Sequence, residues 1–220
     1  MFDQGVKVSN QVSCCCLQTR RFSGKIKSTI KSIINAPTIR RVGDPLLREE
    51  AKPVEMGFLS TPQFTEITEK MVTAMRKEEA YGISAPLLGH SLQVIAYEYT
   101  GHHMKRCMQI YGSCGVSAME MRICPLTILI NPTIEIIDPQ VVAYKETCLS
   151  MPGFSALVPR CKAVKVKALS MNGIQLDFEA SGWIARIIQQ HMDILRGNLL
   201  IDSMLYKSLV NEDWRNYRKY

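Results

Sequence analysis

The sequence predicts an α+β fold in which antiparallel strands wrap a central buried helix. Three observations carry this. A helix-periodic stretch comes first, over residues 61–80. Strand-like runs follow from Gln93 to about Leu176. The segment from Gly182 to Gly197 then reads as a helix that is apolar on nearly every face. A helix apolar all round is an interior helix. Helices followed by a block of strands is the α+β order. At 220 residues the chain can build one substantial core, and no run approaches the roughly 18 apolar residues of a membrane span.

Residues 1–40 stand apart. Up to position 43 there are eight Lys or Arg against one acid, Asp3, and these account for the whole net charge of +7; the remainder is neutral. A basic chain first suggests nucleic acid, but here the excess is confined to one end, so no nucleic-acid specificity is expected of the folded part. A basic, acid-poor segment rich in Ser, Thr and Gln matches an organelle transit peptide. Arg20-Arg21-Phe22-Ser23 resembles the context of a matrix-protease cleavage. The expectation is therefore a mitochondrial transit or disordered basic segment at 1–40 and a folded domain at 41–220, working in the matrix. Eight cysteines, three of them adjacent at 14–16 and none in close Cys-x-x-Cys pairs in the folded part, point to free thiols in a reduced compartment.

The domain's elements follow in order. Asp44-Pro45 can cap and start a short helix. Ser60-Thr61-Pro62 opens the longer one, with Phe64, Ile67, Met71, Val72 and Met75 on one stripe and Gly82 as its expected stop. "QVIAYEY" and "LTILINPTIEII" are β-branched runs. Residues 100–125, rich in Gly, Ser, Cys and Met, read as a long loop. "KAVKVKAL" alternates Val164, Val166 and Ala168 against Lys165 and Lys167. Met171-Asn172-Gly173 is a turn into "IQLDFEA".

The chemistry is concentrated in three stretches: "YGISAPLLG" (81–89), "ETCLSMPG" (146–153) with "ALVPR" (156–160), and "IIQQHMDILRG" (187–197). In this order and spacing they resemble the three motifs of peptide deformylases, roughly G-x-G-[IL]-[SA]-A-P-Q-x-G, E-G-C-x-S and Q-H-E-x-D-H-L-x-G. "ASGWIARIIQ" is most similar to the mitochondrial branch. The resemblance implies the deformylase α+β fold and a divalent metal (Fe, Zn, Ni or Co) held by a cysteine and two histidines. It also implies hydrolytic removal of the formyl group from N-formylmethionyl nascent chains. Metal-assisted amide hydrolysis needs a lowered water pKa, a base in reach and donors aimed at the new oxyanion.

Carried over position by position, the metal-ligand cysteine is Cys148, and the two histidine positions hold Gln190 and Ile194. The glutamate position holds His191, and the motif-one glutamine position holds Leu87. Leu149 would supply the backbone oxyanion donor. Tyr81, Gly82, Ile83 and Thr147 would contact the peptide. An amide ligates poorly and Ile not at all; Cys148 with one imidazole makes two ligands where a catalytic site wants three and a water. His102-His103 carry no ligand spacing. Read alone, His191 is a hydrogen-bonded core residue and Glu146 with Arg160 a buried structural ion pair. Two functions therefore stand: a deformylase with an altered site, its activity lost or impaired, and a non-catalytic relative that binds nascent N-termini or translation-associated partners through the same cleft.

Overall fold

The computed structural model describes residues 38–217. Arg20–Ser23 and nearly all of the segment assigned to targeting lie outside the described residues. The packed chain already includes Ile39, which is buried in the core.

Asp44 caps a 3₁₀ turn, Pro45–Arg48, its carboxylate accepting from the Leu46 N–H at 3.0 Å. Helix α1 (Pro62–Lys77) starts where Thr61 Oγ1 accepts from the Phe64 N–H at 3.2 Å and Pro62 fills the first turn. Phe64, Ile67, Met71 and Met75 are its buried stripe. The helix stops earlier than the expected 61–80. Glu79 takes a left-handed φ of 50° and turns the chain, so Gly82 lies in a strand and does not end the helix.

Among the described residues six strands form one antiparallel sheet: β1 (Gly82–Ser84), β2 (Val94–Tyr99), β3 (Cys124–Cys148), β4 (Met151–Leu169), β5 (Gln175–Ser181) and β6 (Val210–Asn211). The order is β1-β2-β3-β4-β5, with β6 paired to β4. β1 is thus an edge strand. β3 and β4 make one long hairpin that Leu149 and Ser150 close, Cys148 facing Met151. Register shifts at Ile136/Asp138 and Asp138/Val141 are bulges, which bend a strand and increase its twist. Val164, Val166 and Ala168 point inward and are buried, as the alternation required.

The stretch 100–125 is corrected: most of it is helix α2 (Gly101–Ala118), not loop. Thr100 Oγ1 accepts from the His103 N–H at 3.3 Å, and His103 Nδ1 accepts from the Thr100 N–H at 3.2 Å. This reciprocal cap outweighs the glycines, one of which, Gly112, kinks the helix at φ 68°. His103 uses Nδ1 in the cap and packs against Tyr81 with ring centroids 5.1 Å apart.

Helix α3 (Gly182–Leu195) is the buried one, nearly as expected for 182–197. It separates two apolar clusters. Ile194 packs with Leu87, Cys148 and Met71 on one side. Trp183, Ile187, Ile188 and Met192 pack with Val164, Val166 and Tyr97 on the other. Burying each large aliphatic side chain contributes about 1.5–3 kcal/mol, which holds α3 inside despite its polar residues. No described helix is long and apolar enough to cross a membrane.

Candidate active site

A cavity of about 610 Å³ opens between β1, the β3–β4 turn and α3. It collects most of the positions expected from the sequence: Tyr81, Gly82, Leu87, Thr147, Cys148, Leu149, Gln190 and His191 all line it. Ile83 and Ile194 do not. Both side chains are in the core, at 0% and 1% exposure. Ile83 and Ile194 both belong to the apolar cluster that includes Cys148.

The polar atoms around Cys148 are committed elsewhere. The Cys148 thiol lies 3.1 Å from Ser150 Oγ, and burial pushes its pKa up, the Ser150 hydroxyl opposing in part. Gln190 Nε2 donates to the Thr147 carbonyl at 2.7 Å. The His191 ring packs against the Gly82 backbone, and burial, with Arg160 adding to it and Gly82 opposing, lowers its pKa to about 4. A Cβ on Gly82 would meet His191 Nε2 at 2.6 Å and Ile187 Cγ2 at 2.9 Å, so only glycine fits there. His191 Nδ1 has no hydrogen-bond partner among the described residues. The Leu149 carbonyl accepts from Arg41 at the cavity mouth.

These residues do not fit the metal that the motif resemblance implies. One thiol is in place. The amide at 190 is a weak donor already used, position 194 is a hydrocarbon, and the imidazole at 191 faces β1. Among the described residues no three His, Cys, Asp or Glu side chains converge as a metal site would require. No hydrolytic step through a metal-bound water follows from this donor set.

An ionic quartet lies at the cavity wall, where Glu146 and Arg186 line it, and runs inward from there. Arg160 grips Glu146 at 3.1 Å and also pairs with Asp193. Arg186 reaches Glu146 at 2.6 Å and the Val158 carbonyl at 2.9 Å, and stacks on Tyr144 at 5.0 Å. Burial lowers the Arg186 pKa despite Glu146. At Arg160 burial pulls the same way, but Glu146 and Asp193 outweigh it. Both guanidinium groups stay charged, so two cations face two carboxylates and the quartet is neutral. The Glu146–Arg160 pair was legible in the sequence; Arg186 was not singled out, although a charge inside an apolar helix signals a buried partner. Also missed were Arg106, Ile110 and Tyr111 of α2, which form the cavity's outer rim. The Thr100…His103 cap was the available signal.

Comparison with known proteins supplies a family context. The polypeptide deformylase family model matches residues 36–208. The chain is 39% identical over 174 residues to the mitochondrial peptide deformylase of Homo sapiens, a match spanning 79% of this chain and 70% of that one. It is 32% identical over 183 residues to peptide deformylase 1A, chloroplastic/mitochondrial, of Arabidopsis thaliana, spanning 83% and 66%. Among solved structures, the peptide deformylase of Thermotoga maritima superposes with a TM-score of 0.64 at 28% identity, covering 78% of this chain and 99% of that one. The enzyme of Synechococcus elongatus in complex with actinonin gives 0.64 at 28%, covering 79% and 83%.

Proposed function

Because the chain belongs to the polypeptide deformylase family, we propose that it holds the N-terminal segment of newly made polypeptides in this cleft without hydrolysing the formyl group. The observation that carries this is the contrast between cleft and donor set. The cavity reaches the edge strand β1 at Gly82, while Gln190 is turned onto Thr147 and Ile194 is buried. An edge strand accepts an extended peptide through main-chain hydrogen bonds and needs no metal to do so. Leu87, Met151, Phe154 and Ile187 offer apolar surface beside it. The family's base is also missing, since an imidazole kept neutral and packed on Gly82 stands at the position of the carboxylate.

One observation favours the other reading, an altered but active deformylase: the Cys148 thiol still lines the cleft. A single experiment separates them. The full chain is titrated with formyl-Met-Ala-Ser, binding is followed by calorimetry, and formate is assayed in the same samples. Binding without formate above the uncatalysed rate is expected. Formate release that disappears in Cys148→Ala would overturn the proposal.

The basic N-terminal segment and the organelle relatives support action in mitochondria, in the matrix. N-terminal sequencing of protein isolated from mitochondria should start near Ser23, and an intact Met1 would refute it.

A further inference from the structure

Three consecutive residues of α3 reach three different strands. Gln189 accepts from the Cys161 N–H at 3.0 Å and donates to the Cys161 carbonyl at 2.8 Å, on β4. Gln190 donates to the Thr147 carbonyl at 2.7 Å, at the end of β3. His191 packs its ring on the Gly82 backbone of β1, so closely that a Cβ on residue 82 would meet Nε2 at 2.6 Å. Successive helix positions point about 100° apart, so such a fan requires a sheet that curls around the helix, as this one does.

We infer that Gln190, through its hydrogen bond, and His191, through its close packing on Gly82, are a staple that fixes both walls of the cleft to α3 where a metal ion would otherwise make the connection. A metal held by residues 148, 190 and 194 would tie the end of β3 to α3. The Gln190 amide makes the same tie one residue earlier on that strand. His191 adds a tie to the opposite wall, β1. Ile194 completes the arrangement by packing in the same cluster as Cys148. The ring orientation agrees: Nε2 lies against Gly82, while Nδ1 stays buried with no hydrogen-bond partner among the described residues. A buried nitrogen left unpaired is tolerated where the contact made by the other fixes the ring. The cleft is then shaped by its own side chains, and its form does not depend on metal supply. This rests on the reading that no metal is bound beside Cys148.

The test uses the full chain with and without EDTA, by thermal melting and amide hydrogen exchange. The parent should melt within about 1 °C in both conditions. Gln190→Met keeps the length and loses the donor. It should melt about 2–4 °C lower, the shift that one net hydrogen bond makes in a chain this size. It should also exchange about fivefold faster over residues 145–149, with β5 unchanged. His191→Phe should do the same over 81–84. Gln190→Lys, which keeps a donor at similar reach, should restore protection over 145–149. If His191→Phe does not fold, the half-buried position 190 decides alone. Unchanged exchange in Gln190→Met, or an EDTA-induced drop of several degrees in the parent, would overturn the staple. Peptide titration reads the proposed function separately: a parent that binds no peptide removes that function, whereas a parent that binds peptide with exchange unaltered in the variants removes only the staple.

Discussion

His191 shows how burial decides what a side chain does. Its folded pKa is lowered to about 4 from 6.5, first by desolvation and then by Arg160. The unfolded state therefore binds the proton first as pH falls. The ring's contribution to stability is complete above pH 6.5 and is lost between there and about pH 4, to a total of roughly 3 kcal/mol. Denaturant titrations at pH 7 and pH 5 should show a loss of about 2 kcal/mol from this residue. His90 and His103 are also held low, chiefly by burial, so the quantity to read is the difference from His191→Phe. A parent and variant with the same pH dependence would refute the assignment. The sequence showed that 148, 190 and 191 belong together, because motif order and spacing carry that information. The partners of Gln190 and His191 were not legible. Thr147 and Gly82 come from strands far away in the chain, and only the folded sheet sets those distances.

At the level of elements, the quartet of Glu146, Arg160, Asp193 and Arg186 joins β3, β4 and α3 in the interior. Glu146 is the residue on which it depends, because two guanidinium groups address its two oxygens. Breaking a buried pair from one side leaves an uncompensated charge and costs about 3–5 kcal/mol. Glu146→Gln should lose that much by urea denaturation and melt roughly 6–20 °C lower. The exposed pair Lys70–Glu66 on α1 is the control, and Glu66→Gln should change nothing measurable. Equal effects in the two variants would mean that the quartet is not the structural joint described here. Elements were legible where period and cap agreed. α1, the 162–169 half of β4 and α3 have clear patterns. α2 does not: Gly112, Gly115 and the small residues around them lower its helix propensity, and it forms because Thr100 and His103 close its first turn and Cys107 packs inside. Gly82 misled for the opposite reason. A glycine after a helix usually ends it, but this one makes room for α3.

For the molecule as a whole, the question is whether the scaffold still converges on a metal geometry once the polar groups return. The α+β architecture was legible because a largely apolar helix after a block of strands has one stable place, inside them. Leu87, Cys148 and Ile194 share one apolar cluster, and Gln190 lines the cavity beside Cys148. Residues four apart lie on one face of a helix, so histidines at 190 and 194 would both face the thiol. The combined variant Leu87→Gln, Gln190→His, His191→Glu, Ile194→His therefore should build a three-ligand site. Without metal it should be less stable than the parent. It loses the staple, and each unsatisfied buried group costs about 1–3 kcal/mol. Metal binds only the folded state, so saturation at a thousand times Kd should return about 4 kcal/mol. Cobalt should give a thiolate charge-transfer band in the variant and none in the parent. Thr147→Gly, in a second variant, tests whether that side chain crowds a peptide beside the new site. A combined variant that folds, binds no cobalt and melts no higher with it would show that residues 148, 190 and 194 do not meet. The description of this cleft as a deformylase site would then fail along with any argument about its activity.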